Sequence, residues 1–212
     1  MRVEFFFSPA SRYSYLASTQ IRVLESEARC SVVWRPVHGP DIRRLRGRDP
    51  FSGPALSGQY EPSYRRADAE AWAEQYGVPF QEPREFHFDY ALLVRAALAG
   101  QNLGGGAEFL LGLGTAVFGS GRWPIDEALL IEVAEAHGLE PARFTNELRS
   151  GAVAEAMAHA AREAFERGAF GVPTFFAEKR MFWGNDRIPL LRHYLKTHAA
   201  QQGAPADEPQ RV

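Results

Sequence analysis

Apolar and polar positions along this chain switch between two periods. Val3 to Phe7 is a short apolar run closed by Ser8-Pro9, the pattern of a buried strand. From Ser11 the period changes: Tyr15, Leu16, Thr19, Val23 and Leu24 keep helical spacing, which predicts one helix as far as Ala28. Ser31 to Val37 is rich in β-branched and aromatic residues and is stopped by His38-Gly39-Pro40, so it reads as a second strand. A loop rich in Gly, Pro and Arg is expected from His38 to Gly58.

Beyond that loop the spacing predicts helices over Pro62–Tyr76, Asp89–Ala99, Ala107–Val117, Ile125–His137, Pro141–Arg149 and Ala152–Arg167. Proline opens two of them, Asp89 suits an N-cap, and Gly77, Gly100 and Gly138 fall just past ends. Strands return at Thr174–Glu178 and Arg180–Trp183, Arg187–Thr197 reads as a final helix, and the polar tail from Gln201 reads as disordered. The order β-α-β, helical block, ββα describes an α/β unit interrupted by an all-helical insertion. The expected boundaries are residues 1–37 with 150–200 for the α/β unit, 38–149 for the insertion, and 201–212 for the tail.

Composition narrows the function. The 212 residues carry a net charge of −2, so no global basic field attracts nucleic acid or an anionic membrane. The local run Arg43, Arg44, Arg46 and Arg48 is expected to be a solvated loop, with a ligand-carboxylate contact as the minority reading. No leader pattern and no long apolar run is visible, so a cytoplasmic location is expected. No metal-ligand spacing appears, and the GxG stretches lack phosphate-binding context. His137, His159, His193 and His198 read as structural or exposed.

The chemistry starts at Phe5–Ser18, where a strand runs straight into a helix through a cluster of hydroxyls. Such a junction points backbone N–H groups and the positive end of a helix at whatever sits above it, which suits an anion. Cys30 is the only cysteine, so neither an intrachain disulfide nor a CxxC motif can exist.

Ser11-Arg12-Tyr13-Ser14-Tyr15-Leu16-Ala17 resembles the Ser-Pro-Phe/Tyr-Ser-Tyr-Leu-Ala segment of the 2-hydroxychromene-2-carboxylate isomerases, glutathione-dependent relatives of the kappa-class glutathione transferases. Asp68, Trp72, Tyr76-Gly77-Val78-Pro79 and Ala116-Val117-Phe118-Gly119 add to the likeness. Its most specific part is FGVPTFFAEKRMFWGNDRI, Phe170 to Ile188. The resemblance implies a thioredoxin-like domain with a helical domain inserted, glutathione as cofactor, a small-molecule substrate and a homodimer. It implies an isomerase in which the glutathione thiolate adds reversibly to a conjugated double bond. A kappa-like transferase and a non-catalytic peptide- or thiol-binding module are the alternatives.

In the redox relatives a CxxC motif begins where Ser11 stands, and here positions 11 to 14 are Ser-Arg-Tyr-Ser. A dithiol cycle is closed to these residues, so the thiol has to be brought in. A free thiol, with a pKa of ~8.5, is mostly protonated at neutral pH; a helix N-terminus and a donated hydrogen bond from the Ser11 hydroxyl would both favour the thiolate. The plainer role of Ser11 is an N-cap. Val172-Pro173 resembles a cis-proline segment, which would leave the Val172 backbone to pair with the cysteinyl backbone of glutathione. Trp183, Gly184, Asn185 and Asp186 would hold the γ-glutamyl end, Asn185 its carboxylate and Asp186 its ammonium; a cap is the plainer role of Asp186. Arg12, Tyr13, Arg35 and His87 are the candidates for the substrate side, with Trp34, Tyr60 and Tyr64 as aromatic candidates for the same cavity. Arg12 stands where the family has Pro, Ser8-Pro9 where it has Asp-Phe, and Asp89 where it often has Asn, so the departures gather around the electrophile.

Overall fold

A computed structural model describes residues 1–47, 61–83 and 88–203, with the side chains of the last helix described as far as His198. Four strands form a mixed sheet in the order β2-β1-β3-β4, where β1 is Arg2–Phe7, β2 Ser31–Pro36, β3 Thr174–Ala177 and β4 Arg180–Trp183. β1 pairs with β2 in parallel, Phe6 opposite Arg35, and with β3 antiparallel, Phe6 opposite Thr174. β3 and β4 form an antiparallel pair with Thr174 opposite Trp183.

Side chains alternate across the sheet, and each face has its own core. Val3, Phe5 and Phe7 join a cluster with Tyr15, Leu16, Phe109, Phe118, Phe144 and Phe175. Within it the Phe5 ring stacks on Phe175 at 4.7 Å, and Trp34 meets Phe5 and Phe7 edge-on. Phe6 faces the other way, into a smaller cluster with Ile42, Ala161, Ala164, Ala169 and Phe176. The first cluster runs without interruption from the sheet into the helices of the middle of the chain.

The first expected helix is two: α1, Arg12–Thr19, and α2, Ile21–Ala28. The Ser18 and Thr19 hydroxyls donate back to the carbonyls of Ser14 and Leu16, both at 2.7 Å, and such back-bonding bends a helix. The expected loop after β2 opens instead with a helix, α3, Gly39–Leu45. Pro40 sits in its first turn, where a missing N–H costs nothing, and Asp41 and Arg43–Arg44 complement the two ends of its dipole. Arg43 and Arg44 are therefore helical; Arg46 donates to the carbonyls of Gly168 and Ala169 at 2.7 and 3.1 Å, and Arg48 lies outside the described residues.

The helices of the middle are α4 Pro62–Tyr76, α5 Tyr90–Asn102, α6 Ala107–Gly114, α7 Glu127–Ala136 and α8 Pro141–Leu148, followed by α9, Gly151–Glu166, which packs on α3, α5 and β2. α6 ends in a π-helical turn, Thr115–Gly119, where a plain helix was expected. A 3-10 turn, Asn185–Arg187, leads into α10, Ile188–Gly203, so residues 201–203 continue a helix rather than begin the tail. No helix among the described residues is long and apolar enough to cross a membrane.

Candidate active site

Strand ends decide where the site lies. Phe7 ends β1 beside Pro36 of β2, Thr174 begins β3 one position away, and Trp183 ends β4 opposite Thr174. The junctions after β1, β2 and β4 and the one before β3 therefore meet at one end of the sheet. That brings together Ser8–Ser11, His38–Arg43, Val172–Pro173 and Gly184–Asp186. An open hollow of about 460 Å³ lined by Met1, Arg2, Glu4, Phe176 and Glu178 lies at the opposite end of β1 and is no part of this site.

The turn after β1 is stitched by serines. Ser8 N–H donates to Ser14 Oγ at 3.2 Å, Ala10 N–H to Ser8 Oγ at 3.3 Å and Ser11 N–H to the Ser8 carbonyl at 3.0 Å. Ser11 is the N-cap of α1 in an extended conformation, its Oγ accepting from Ser14 N–H at 3.3 Å. A hydroxyl that caps as an acceptor keeps its own proton to donate. Capping a helix and hydrogen-bonding an anion are compatible here.

The opposite wall is built around Pro173. The Val172–Pro173 peptide is cis, and the Pro173 carbonyl accepts from Gly184 N–H at 2.9 Å, tying the end of β4 to the start of β3. Val172 Cγ2 would lie 3.5 Å from a Cβ at Gly39, so the start of α3 closes on the same loop. Gly184 has φ +112° and ψ +154°, and a Cβ there would lie 2.2 Å from Asp186 Oδ1; only glycine fits. Trp183 is exposed and packs against the exposed Phe170 at 4.8 Å, making an aromatic rim.

Asp186 is exposed, with Arg187 Nη2 at 3.4 Å from its carboxylate. Asn185 departs from the expectation of a ligand-facing amide. It is buried, its carbonyl accepts from the Tyr76 hydroxyl at 3.1 Å, and its Nδ2 lies 3.5 Å from the same oxygen. Tyr76 thus ties the main chain of the 3-10 turn to α4.

Among the substrate-side candidates, Arg12 and Tyr13 remain beside the site. Arg12 Nη1 contacts Glu82 Oε1 at 2.8 Å, with both side chains nearly buried. Burial pulls the Arg12 pKa down and Glu82 acts against that fall. The Tyr13 hydroxyl donates to Asp68 Oδ2 at 2.8 Å under the Arg65 guanidinium, 5.4 Å from its ring centre. Burial first, then Asp68, pushes the Tyr13 phenol well above its ordinary value, so it stays neutral in working conditions. The Tyr90 hydroxyl, itself raised by burial, lies in the field of both Arg12 and Arg43.

Arg35 does not join them. Its guanidinium binds Glu4 at 2.8 and 3.2 Å, and Arg167 binds the other oxygen of that carboxylate at 2.7 Å, on the face of the sheet turned away from α1. Trp34 is core packing and Tyr64 is exposed on α4; His87 and Tyr60 lie outside the described residues. Glu82, Asp68, Arg65, Tyr76 and Tyr90 are the neighbours that residue patterns did not single out as chemistry, although Asp68 and Tyr76 lay inside quoted matches. A clue existed for one: a charge beside a buried turn, as at Arg12, demands a counter-charge.

Cys30 is half-buried at the far end of α2, its Sγ 3.8 Å from the Leu24 carbonyl, and burial raises its thiol pKa. It lies beyond the end of a different helix from the one Ser11 caps. No group of three or more His, Cys, Asp or Glu suited to a metal is present among the described residues.

Known proteins resemble this chain in sequence and fold. The chain is 30% identical over 203 residues to the 2-hydroxychromene-2-carboxylate isomerase of Sphingobium xenophagum, covering 91% of this chain and 97% of that protein. It is 29% identical over 199 residues to the enzyme of the same name from Pseudomonas putida, covering 90% and 92%. A solved 2-hydroxychromene-2-carboxylate isomerase superposes with a TM-score of 0.82 at 27% identity, over 95% of this chain and 98% of that one. The cytosolic disulfide reductase DsbM of Pseudomonas aeruginosa, solved with GSH, shares the fold with a TM-score of 0.64 at 22% identity, over 95% and 98%. The model of the DSBA-like thioredoxin domain matches residues 2–196, and the chain belongs to that family.

Proposed function

We propose that this protein is a glutathione-dependent isomerase acting on 2-hydroxychromene-2-carboxylate or a related unsaturated aromatic-catabolic acid. The observation that carries the reading is Ser11: an N-cap hydroxyl with its proton to spare, at the end of the sheet that also holds cis Val172–Pro173, in a chain whose one thiol lies elsewhere. The donor set suits a γ-glutamyl thiol, and DsbM was solved with GSH in the same fold. The relatives named as isomerases support the reaction class.

When bound, glutathione supplies a thiolate that adds to a conjugated double bond and leaves again once the resulting single bond has turned. This chain's residues would prepare that chemistry. Ser11 donates its proton in a hydrogen bond to the sulfur, and the N-terminus of α1 adds partial positive charge, so the sulfur's proton is lost more easily. The Val172 backbone, beside the cis bond to Pro173, pairs with the cysteinyl residue as a short added strand would. Asp186 pairs with the ammonium, and the backbone of the Asn185–Arg187 turn, rather than the buried Asn185 amide, meets the γ-glutamyl carboxylate. On the substrate side the Arg12–Glu82 pair stands beside the neutral Tyr13 hydroxyl.

Titration calorimetry with glutathione and an absorbance assay of isomer interconversion test this together. The expected result is micromolar-to-millimolar glutathione binding and turnover that requires it. Binding with a stable thioether product would make the protein a transferase; no binding would remove the reading.

A further inference from the structure

We infer that Tyr13 selects the electrophile by a hydroxyl group: its phenol oxygen, with its own proton committed to Asp68, accepts a hydrogen bond from an O–H of the bound acid. The inference rests on the electrophile proposed above, an unsaturated aromatic acid, and names the polar group by which this chain would recognise it. Tyr13 is the second residue of α1 and is half-buried. At 1.5 Å of rise per residue it stands about 3 Å along the helix from the Ser11 cap.

The polarity of Tyr13 is fixed by α4, which packs against α1. Its hydroxyl donates to Asp68 Oδ2 at 2.8 Å, and the Arg65 carbonyl lies 3.4 Å away. A carboxylate and a carbonyl are acceptors, so both contacts call on the one phenol proton. Burial first, then the bond to Asp68, raises the phenol pKa, so that proton stays in place. The oxygen keeps lone pairs with which to accept, and no group among the described residues donates to it. A bond to a charged acceptor also polarises the O–H and makes its oxygen a better acceptor in turn. The Arg65 guanidinium, 5.4 Å from the centre of the Tyr13 ring, holds the ring from its face.

Ser11 and Tyr13 therefore present opposite polarities from the first turn of one helix. Ser11 has a proton to donate to a sulfur anion, whereas the Tyr13 proton is turned away to α4 and its oxygen repels an anion. An electrophile with a hydroxyl meets Tyr13 as donor to acceptor. An ether in the same place brings one acceptor against another and is disfavoured.

Two planar unsaturated acids that differ in that proton test the inference, trans-2-hydroxycinnamate and trans-2-methoxycinnamate, each titrated into the protein by calorimetry. The wild type should bind the hydroxy acid at least about tenfold more tightly. Tyr13→Phe should bring the two affinities within about threefold by weakening the hydroxy acid. Phenylalanine keeps the ring, so a preference that survives Tyr13→Phe comes from methoxy bulk and overturns the inference. Asp68→Asn, whose amide can donate to Tyr13 and release the phenol proton toward the ligand, should narrow the preference by admitting the methoxy acid. Variants that melt earlier yet keep the wild-type ratio of affinities would reduce the pair to a helix contact and overturn the inference. Equal binding of the two acids by the wild type overturns it with no variant needed, and leaves the proposed electrophile standing. Wild-type protein that binds neither acid, with glutathione present or absent, removes the electrophile reading and the inference with it.

Discussion

Replacing Gly184 with alanine should damage both the fold and the site, and the geometry gives the size of the effect. The residue sits at φ +112° and ψ +154°, a region essentially reserved for glycine, so an L side chain costs about 1–3 kcal/mol in backbone strain. The new Cβ would stand 2.2 Å from Asp186 Oδ1, so that carboxylate must swing away and give up Arg187 at 3.4 Å. Both partners of that ion pair are about half exposed, so its loss adds no more than ~1 kcal/mol. Weakening the 2.9 Å bond from Gly184 N–H to the Pro173 carbonyl adds about 1 kcal/mol more. The total is about 2–5 kcal/mol, which in a chain of this size lowers the melting temperature by roughly 4–20 °C. Thermal unfolding followed by circular dichroism reads the stability, and calorimetry with glutathione reads the displaced Asp186. The double variant Gly184→Ala/Asp186→Ala removes the steric partner and should be more stable than two independent losses would allow. A Gly184→Ala protein melting within about 1 °C of wild type, with unchanged glutathione affinity, would refute both the strain and the placement of Asp186.

Three further outcomes are expected. Ser11→Ala should raise the pKa of bound glutathione by about 1–2 units while costing ~1 kcal/mol of stability through the lost cap; equal pKa values in ultraviolet titrations would reduce Ser11 to a cap alone. Asp186→Ala should weaken glutathione binding at least tenfold in calorimetry with little change in melting temperature, since its carboxylate is exposed. Burial pushes the Glu4 carboxyl up, but Arg35 and Arg167 together outweigh it and hold its pKa below the ordinary 4.5. The stability it contributes is therefore complete above that value and lost as pH falls through the lower folded pKa, and Glu4→Gln should flatten urea-unfolding stability between about pH 5 and 3.

How much of this was legible in the chain depended on how local the cause was. Ser11, Val172 and Gly184 could be found because a strand-to-helix junction, a Val-Pro before a strand and a Trp-Gly after one are written in consecutive residues. α3 was missed because Gly39-Pro40 stops a strand and starts a helix with the same two residues, and Ile42 and Leu45 alone are too few to show a period. The break at Gln20 depends on which way two hydroxyls turn. Arg35 was misplaced, and the burial of Asn185 missed, for a different reason. Their partners, Glu4 on a neighbouring strand and Tyr76 on α4, become neighbours only after strand pairing and helix packing, which no local pattern encodes.

The uninterrupted core bears on how the site can choose its substrate. Its two walls come from distant stretches of chain: Ser11, Val172 and Gly184 from the sheet junctions, and Asp68, Glu82 and Tyr90 from the middle. Phe5 and Phe7 under the first wall share one packed cluster with Phe109, Phe118 and Phe144 under the second. Parting the walls would shear aromatic rings in close contact, and packed interiors resist that as organic crystals do. The spacing of the two groups is thus tied to the packing beneath them, and changing it requires changing side-chain volumes in the core.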